Sequence, residues 1–382
     1  MSGYFDSAAS MPIFPRALLN TLTKINHGNP SSAHLPGRQA KKIINNTRLQ
    51  IADYIGGDPD QIYFTSGATE AANILIQGYI SYLINNSSFR NEIIVSSIEH
   101  PAVFQTAYAM QSKGFVIREI SCNEWGEINC NEIERLVNEK TAMVCIMAVN
   151  NETGAIQPVN EIARQIKKID SDVFVVCDAV QQFAKLDVKP ELQVVDALFM
   201  SGHKIGADKG IGCFYLSNRF PILPLMYGGV QEQSYRPGTE NVYGIALLGE
   251  ALMESLRNHD STIGKVRQLA RHLISRLDFL QVNYVRLVPD EKSSPYILSL
   301  AFPGTSSASM MRDLTTSGFY ISQGSACSSH SMAPSRILSA MRLPNEIITS
   351  AIRISFSYEN TLEEVDLLAD HLALYCKVEI EI

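Results

Sequence analysis

Short apolar runs and amphipathic stretches alternate along the first part of the chain. The apolar runs predict seven buried strands, at Gln61–Thr65, Glu92–Val95, Phe115–Ile120, Met143–Val149, Val173–Cys177, Ala197–Met200 and Gly212–Tyr215. Between several of these runs, as in Thr69–Tyr82 and Asn160–Lys168, apolar residues recur with helical spacing. Strands that alternate with helices predict an α/β layer built on a mostly parallel sheet.

The pattern changes after about residue 240. Two helical stretches are followed by a mixture of strands and helices, predicted at Asn241–Arg257, Ile263–Leu280, Tyr296–Phe302, Ser307–Thr316, Ile352–Phe356 and Leu362–Tyr375. We therefore expect a large domain over residues 14–257 and a smaller α+β domain formed by residues 1–13 and 258–382. A chain of 382 residues with 46% hydrophobic composition is long enough to bury both cores.

Composition and charge exclude several classes of protein. The formal net charge is -7 and no block of Lys or Arg stands out, which argues against direct binding of nucleic acid. The longest apolar runs, such as Ala142–Val149, are far shorter than the ~20 residues of a membrane span. The N-terminus has neither the basic nor the apolar region of a signal peptide. We expect a cytoplasmic protein without a membrane segment.

The number of cysteines, seven, is odd and no CxxC pair occurs, which argues against a disulfide framework and against a zinc site. Cys145, Cys177 and Cys213 lie in apolar, strand-like runs and are expected to be buried core residues. Cys327 differs, because it lies in the small polar segment Gly-Ser-Ala-Cys-Ser-Ser.

Two predicted strands end in residues with distinctive chemistry. The run at 197–200 leads into Ser201-Gly202-His203-Lys204, and ligands of open α/β sheets bind at the carboxyl ends of strands. A lysine there can form a Schiff base with an aldehyde cofactor, although an isolated lysine is usually a surface residue. Asp178 follows another strand. It can hold a pyridine nitrogen protonated, or it can simply cap a turn.

Three further strand ends carry weaker signals. The turn Ser66-Gly67-Ala68-Thr69-Glu70 opens a helix, whose N–H groups suit a phosphate. It is not a Walker A loop, and Ser66 and Glu70 are one residue too far apart for a capping box. His100 can stack on a cofactor ring or transfer protons, and the Asn150-Asn151 pair can hydrogen-bond a cofactor. No G-x-G-x-x-G follows the early strands, which argues against a dinucleotide-binding oxidoreductase.

In combination these motifs resemble the fold-type I pyridoxal-phosphate (PLP) enzymes, and within them the cysteine desulfurases of the class V aminotransferase family. The resemblance covers nearly the whole chain. Its motifs are Asp6-Ser7-Ala8-Ala9, His27-Gly28-Asn29-Pro30-Ser31-Ser32-Ala33-His34, Thr65-Ser66-Gly67-Ala68-Thr69-Glu70, Glu99-His100, Asn150-Asn151-Glu152, Asp178-Ala179-Val180-Gln181, Ser201-Gly202-His203-Lys204, Arg236-Pro237-Gly238-Thr239-Glu240-Asn241, Gly324-Ser325-Ala326-Cys327 and Ile352-Arg353. It implies a PLP-dependent transferase fold with a large and a small domain.

The resemblance also implies a role for each site residue. Lys204 looks like the lysine that binds PLP, Asp178 like the partner of the pyridine nitrogen, and His100 like the stacking acid/base. Arg353 resembles the clamp for the carboxylate of L-cysteine. The remaining cofactor contacts are implied for the phosphate (Ala68, Thr69, Ser201, His203) and for the ring oxygen (Asn151, Gln181). Thr239 resembles a residue that reaches the phosphate of the neighbouring subunit, which implies a homodimer with shared active sites.

The segment around Cys327 resembles that of the group I, NifS/IscS-like enzymes, in which a catalytic cysteine lies on a long mobile loop, here at about 322–335. The Arg-x-Gly-His-His-Cys motif of group II is absent. Cys327 would receive sulfur from cysteine as a persulfide and pass it to an acceptor protein. The chain ends soon after the last predicted helix, without the tail of housekeeping group I members. The pathway therefore stays open between iron–sulfur assembly, nitrogenase maturation, tRNA thiolation and DNA phosphorothioation.

Three other functions remain compatible with these residues. Transamination and selenocysteine lysis use the same scaffold, and a transaminase would not need Cys327. A PLP-binding protein without activity is the alternative that is not an enzyme.

Overall fold

The computed structural model describes residues 2–187, 189–323 and 334–380, with side chains up to Cys376. The described residues form a seven-stranded sheet, a three-stranded sheet and a two-stranded pair. The first strand, β1 (Gly3–Tyr4), belongs to the pair and not to the large sheet.

The large sheet is mostly parallel, as predicted. Its strands are β2 (Ile62–Thr65), β3 (Glu92–Ser96), β4 (Val116–Ile120), β5 (Thr141–Met147), β6 (Phe174–Asp178), β7 (Ala197–Ser201) and β8 (Gly212–Leu216). They lie in the order β2-β8-β7-β6-β5-β3-β4. Only β8 runs antiparallel to its neighbours, β2 and β7.

Helices cover both faces of this sheet. They are α1 (Pro15–Lys24), α2 (Leu35–Ile55), α3 (Ala68–Asn85), α4 (Pro101–Ala109), α5 (Ile133–Leu136), α6 (Val159–Ile169) and α7 (Val242–Arg257). Along β6, Phe174 and Val176 pack on the side of α3 and α4, whereas Val175 and Cys177 pack on the side of α2, α6 and α7. Because successive side chains of a strand point to opposite faces, strands covered on both sides read as continuous apolar runs.

The rest of the chain forms a smaller α+β layer. Its elements are α8 (His259–Phe279), β9 (Val285–Arg286), β10 (Ile297–Ala301), α9 (Ser307–Thr316), β11 (Phe319–Tyr320), α10 (Arg336–Ala340), α11 (Asn345–Ser350), β12 (Ala351–Ser355) and α12 (Leu362–Ile380). The strands β12-β10-β9 make an antiparallel sheet. The N-terminal β1 pairs with β11, and the Phe5 N–H donates to the Tyr320 carbonyl at 2.8 Å.

The predicted elements agree with the structure to within a few residues at each end. The largest strand shift is at β5, which begins and ends two residues earlier than the apolar run Met143–Val149 suggests. Six of the described helices, α1, α2, α4, α5, α10 and α11, were not predicted. Of the helices in the described ranges, none combines the length and the apolar composition that a membrane crossing requires.

Candidate active site

A cavity of about 490 Å³ opens at the carboxyl ends of the parallel strands, where it also meets the N-terminal segment and β12. Nearly all the site residues predicted from the sequence line it together: Ala68, Thr69, His100, Asn151, Asp178, Gln181, Ser201, His203, Lys204 and Arg353. These residues come from six separate segments of the chain, and the fold brings them to one edge of the sheet.

One end of the cavity is formed by the start of α3. No side chain of the described residues caps this helix at Gly67, so its first N–H groups remain available to an anion. Gly212 on β8 lets the turn approach the sheet, because a Cβ at this position would lie 2.6 Å from the Met200 carbonyl oxygen and 2.7 Å from the Gly67 Cα. The Ser201 hydroxyl lies beside Gly67. This end of the cavity therefore suits a phosphate.

Glu70 forms hydrogen bonds that fix the same turn, although the spacing rule for a capping box excluded a contact between Ser66 and Glu70. Its Oε2 accepts from the Ser66 N–H at 2.5 Å, and its Oε1 accepts from the Arg236 Nε–H at 3.1 Å. Burial opposes ionisation of Glu70, but the bonds from Ser66 and Arg236 prevail and lower its pKa. The contact spans one residue more than a capping box because the Ser66 backbone N–H, and not that of the N-cap residue Gly67, is the donor.

Lys204 lies in a short 3₁₀ turn directly after β7, at the base of the cavity. Its Nζ donates to the carbonyl oxygens of Ala8 and Ala9 at 2.7 and 2.9 Å. The backbone of this turn is tied to the same N-terminal segment, since the Met11 N–H donates to the His203 carbonyl at 2.8 Å. The N-terminal residues thus hold the Lys204 amine in place at the carboxyl end of β7.

Asp178 ends β6 as a buried carboxyl group facing the cavity. Its Oδ1 accepts from the Val180 N–H at 2.9 Å. Burial raises the pKa of Asp178 to about 6, although the Val180 N–H and the charge of Lys204 both act to lower it. A buried acid of this kind gains most from a cationic partner, such as a protonated ring nitrogen.

His100 is the N-cap of α4, and its Nδ1 accepts from the Ala102 N–H at 3.1 Å. Burial, together with the charges of Lys204 and Arg336, lowers the pKa of His100 to about 4. The imidazole is therefore neutral near pH 7, and because Nδ1 is an acceptor the ring proton lies on Nε2.

His203 precedes Lys204 in the same turn and also lines the cavity, and its Nδ1 is 3.3 Å from the Ser10 hydroxyl. Burial and the nearby charges of Lys204, Lys185 and Lys209 lower the pKa of His203 to about 4. This ring is also neutral near pH 7, so it offers a phosphate a hydrogen bond and not a full charge.

Arg353 lies on β12 and is almost completely buried. Its Nη2 donates to Asp6 Oδ1 at 2.6 Å and its Nη1 donates to the Asn151 carbonyl at 2.7 Å. Within the described residues, Arg353 Nε and Asn151 Oδ1 are buried without a hydrogen-bond partner. The turn that carries Asn151 is fixed by Asn150, whose Oδ1 accepts from two backbone N–H groups at 2.9 Å. Unpaired polar groups on a cavity wall indicate a polar ligand, and a guanidinium suits a carboxylate.

Thr239 and Cys327 are the two predicted site residues for which no place in this cavity can be given. Thr239 is exposed, and it does not line the cavity of its own chain. Cys327, with most of the segment 322–335, lies outside the described residues.

The profile of the family described as Aminotransferase class-V matches residues 3–368. The chain belongs to this family.

Similar proteins in this family include enzymes named cysteine desulfurases. A cysteine desulfurase IscS of Methanosarcina thermophila is 34% identical, over 95% of this chain and 89% of its own length. One from Clostridium botulinum (strain Hall) is 32% identical, over 97% of this chain and 93% of its own length. A solved structure entitled NifS-like protein has a TM-score of 0.91 at 33% identity and covers 99% of this chain and 100% of that one. These similarities confirm the predicted NifS/IscS-like group and its fold.

The cofactor of class-V enzymes of this kind is PLP, and the cavity has the groups that PLP requires. The uncapped start of α3 suits the phosphate, the buried Asp178 suits the pyridine nitrogen, and Lys204 supplies an amine between them. Asn151, predicted beside the ring oxygen, and Arg353, predicted for the substrate carboxylate, both keep an unpaired polar atom, Oδ1 and Nε. The residues present therefore fit the cofactor.

Three polar residues beside the cavity were not assigned roles from the sequence. Asp6 pairs with Arg353, Glu99 is buried beneath His100, and Lys185 is buried behind Gln181. Asp6 and Glu99 belong to two of the motifs on which the family resemblance rests, so the sequence already contained a signal for them. Lys185 follows Gln181 by four residues, a spacing that can place one side chain against the other.

Proposed function

We propose that this cysteine desulfurase takes sulfur from L-cysteine through the residues gathered in its strand-end cavity and gives L-alanine. The observation that carries this proposal is the convergence of Lys204, Asp178 and Arg353 on one cavity. A lysine for the aldehyde, an acid for the ring nitrogen and a guanidinium for a carboxylate are together what an amino acid and PLP need.

Substrate binding is the role of Arg353. Its planar guanidinium, already held by Asp6 and Asn151, offers the unpaired Nε–H to the cysteine carboxylate. Bound PLP supplies an electron sink that stabilises negative charge at the substrate Cα. Asp178 keeps the ring nitrogen protonated, and Lys204, once displaced by the substrate amine, takes the proton from Cα.

His100 acts as a neutral imidazole in this scheme. Its Nδ1 is engaged by the Ala102 N–H, so the proton that it can donate is the one on Nε2. We propose that His100 packs against the cofactor ring and that its Nε2–H donates a hydrogen bond to the substrate sulfur while the Cβ–S bond breaks.

Cys327 is the proposed acceptor of the sulfur, on the basis of the sequence motif alone. Its thiolate attacks the substrate sulfur, an S–S bond forms and the Cβ–S bond breaks, with the electron pair returning to the carbon skeleton. Protonation then gives L-alanine, and Cys327 carries a persulfide. The net reaction converts L-cysteine and a thiol into L-alanine and a persulfide, so no external oxidant is needed.

A homodimer with shared active sites is also proposed. Thr239 is exposed, and Tyr227 and Val230 on the same loop are 90% and 84% exposed. Glu232 anchors this loop, because its carboxylate pairs with Arg48 and accepts from the Phe64 N–H. Phe64 lies just before the turn Ser66–Glu70, the proposed phosphate site, which we call the phosphate turn. A firmly held loop with exposed apolar side chains is typical of a subunit interface, and a second copy would receive Thr239 at its phosphate end.

The persulfide sulfur passes to an acceptor, which we propose is a protein; the pathway stays open between the routes named above. A cytoplasmic location remains a prediction from the sequence.

We also propose the division into a large domain of residues 14–257 and a small domain of residues 1–13 with 258–382, because β1 pairs with β11 and because α7 and α8 meet at Asn258.

The test compares wild-type protein with Lys204→Ala and Cys327→Ala. Lys204→Ala should lose the visible absorbance of lysine-bound PLP, because the amine at the end of β7 is gone. Cys327→Ala should keep this absorbance but should no longer release sulfide from cysteine in the presence of a thiol. Normal sulfide release by Cys327→Ala would contradict the persulfide role.

Alanine formation from cysteine and from selenocysteine, measured side by side, separates a desulfurase from a selenocysteine lyase.

A further inference from the structure

Lys185 is a buried lysine that none of the roles above uses. Only 3% of its surface is exposed, and it lies in the turns that follow β6, behind the wall of the cavity. Its Nζ donates to Gln181 Oε1 at 3.0 Å and lies 5.6 Å from the centre of the Tyr296 ring. Burying a lysine is unfavourable unless its amine makes specific contacts, so a function for this side chain is expected.

The contacts of Gln181 allow only one orientation of its amide. A lysine ammonium has donors and no acceptor, so the amide oxygen must face Lys185. On the other side the Gln181 Nε2 donates to the Ala8 carbonyl at 2.8 Å, and a carbonyl can only accept. Gln181 lines the cavity, and with its oxygen bound by Lys185 and one N–H bound to Ala8, its second N–H is the group that it can offer a ligand.

The same contacts link Lys185 to Lys204. The Ala8 carbonyl accepts from Gln181 and also from Lys204 Nζ at 2.7 Å. Burial, with the charges of Lys204 and Arg353, lowers the pKa of Lys185 to about 7. The repulsion is mutual, so at pH values below about 7, where Lys185 carries its charge, it makes it harder for the nitrogen of Lys204 to hold a proton.

We propose that Lys185 is a positioning residue, which holds Gln181 with its second N–H toward the ring oxygen of PLP and favours the unprotonated nitrogen of Lys204. This inference rests on the proposed function, in which Lys204 binds PLP and Gln181 contacts it.

The experiment measures the affinity of the protein for PLP and the pH at which the visible absorbance of bound PLP changes. Lys185→Met removes both the donor and the charge, and Lys185→Gln removes the charge but keeps a donor for Gln181. Lys168→Met, at an exposed lysine on α6, is the matched control. The other ionisable groups around Lys204, namely Asp178, His100, His203, Lys209 and Arg353, stay unchanged in all three variants.

Lys185→Met should weaken PLP binding roughly threefold to tenfold, the effect of one lost hydrogen bond. It should also raise the midpoint of the absorbance change by about one pH unit, because a nearby like charge is gone. Lys185→Gln should show the same rise in midpoint with a smaller loss of affinity. In a Gln181→Ala background, Lys185→Met should add little to the loss of affinity.

The possible outcomes separate the two proposals. If Lys204→Ala leaves the absorbance of bound PLP unchanged, the proposed function is wrong and this inference falls with it. If Lys204→Ala abolishes the absorbance but both Lys185 variants titrate like Lys168→Met, only the role of Lys185 is wrong. Should Lys185→Met fail to fold, the midpoint of Lys185→Gln alone decides, since an unshifted value contradicts the proposed charge effect.

Discussion

Glu99 is a fully buried carboxyl group at the end of β3, next to His100. Its Oε1 accepts from the Ser96 hydroxyl at 2.6 Å and from the Met147 N–H at 2.7 Å, whereas Oε2 has no partner among the described residues. Burial, and then the charge of Asp178, raise the pKa of Glu99 to about 8. The side chain therefore carries a proton at neutral pH and ties β3 to β5 without adding a negative charge.

This protonation predicts a pH-dependent stability. Between the usual pKa of 4.5 and about 8, the unfolded chain loses the Glu99 proton while the folded chain keeps it. Folding is therefore weakened as pH rises through this window, and the effect levels off above it. Glu99→Gln has no such proton. We expect the free energy of unfolding of the wild type, relative to Glu99→Gln, to fall steadily from pH 4.5 to pH 8.

Urea unfolding of the cofactor-free proteins at several pH values measures this difference. Glu139→Gln, a change at an exposed glutamate, is the matched control. A constant difference between wild type and Glu99→Gln across the window would show that Glu99 is already ionised in the folded protein.

For single residues, the sequence predicted the groups that line the cavity better than the groups buried behind them. Lys204 and Asp178 could be found because each follows an apolar strand, where the rule for α/β sheets places a ligand. Glu99 and Lys185 could not be assigned roles, since their chemistry comes from burial and from partners far along the chain, such as Met147 and Arg353. The Glu70 contact with Ser66 was excluded by spacing, because the rule assumes an N–H donor at the N-cap.

At the scale of elements, the position of the phosphate turn depends on β8. Gly212→Ala would place a Cβ against backbone atoms of both Met200 and Gly67, which cannot move aside independently. We expect the start of α3 to shift, PLP affinity to fall, and stability to drop by roughly 1–3 kcal/mol, as for other overpacked sites. Binding titrations with PLP and urea unfolding measure the two effects.

Gly264→Ala on α8 is the control, since an added Cβ there meets open space. It should leave PLP binding unchanged. Equal PLP affinity for Gly212→Ala and wild type would show that the close approach of β8 does not position the phosphate turn.

The strands were predictable because burial on both faces leaves an unmistakable apolar run, as in Phe174–Asp178. The missed α2 had a weaker signal. Its buried positions Ala40, Ile44, Thr47 and Ile51 have helical spacing, but two of them are only weakly apolar. The pairing of β1 with β11 had no local signal, because two-residue strands are selected by long-range contacts.

At the scale of the whole molecule, the proposed dimer makes a specific prediction about mixed subunits. Suppose that Thr239 acts in the neighbouring site. A dimer of one Lys204→Ala subunit and one Thr239→Ala subunit then has one intact site, because the Thr239→Ala subunit keeps Lys204 and receives Thr239 from its neighbour. We expect such a heterodimer to be more active, at limiting PLP, than either homodimeric variant.

Separately tagged subunits, co-expressed and purified through both tags, give this heterodimer. The cysteine-dependent formation of alanine is the measurement, and a Lys204→Ala subunit paired with a wild-type subunit is the control. If the heterodimer is no more active than the Thr239→Ala homodimer, Thr239 acts within its own chain or not at all.

The α/β class and the smaller α+β layer followed from periodicity, and the resemblance of many motifs gave the family. The acceptor that takes sulfur from Cys327 could not be predicted. It would recognise a surface of the folded protein, and the residues of such a surface do not recur at a regular spacing in the sequence.

The most direct test of the proposed sulfur transfer is a single turnover with cysteine in the absence of any reductant. The alanine formed is counted, and the protein is alkylated, digested and analysed by mass spectrometry. We predict one alanine per active site and one additional sulfur atom on the peptide that contains Cys327, with neither product from Cys327→Ser. Alanine formation by Cys327→Ser at the wild-type level, or additional sulfur on a different cysteine, would contradict this account.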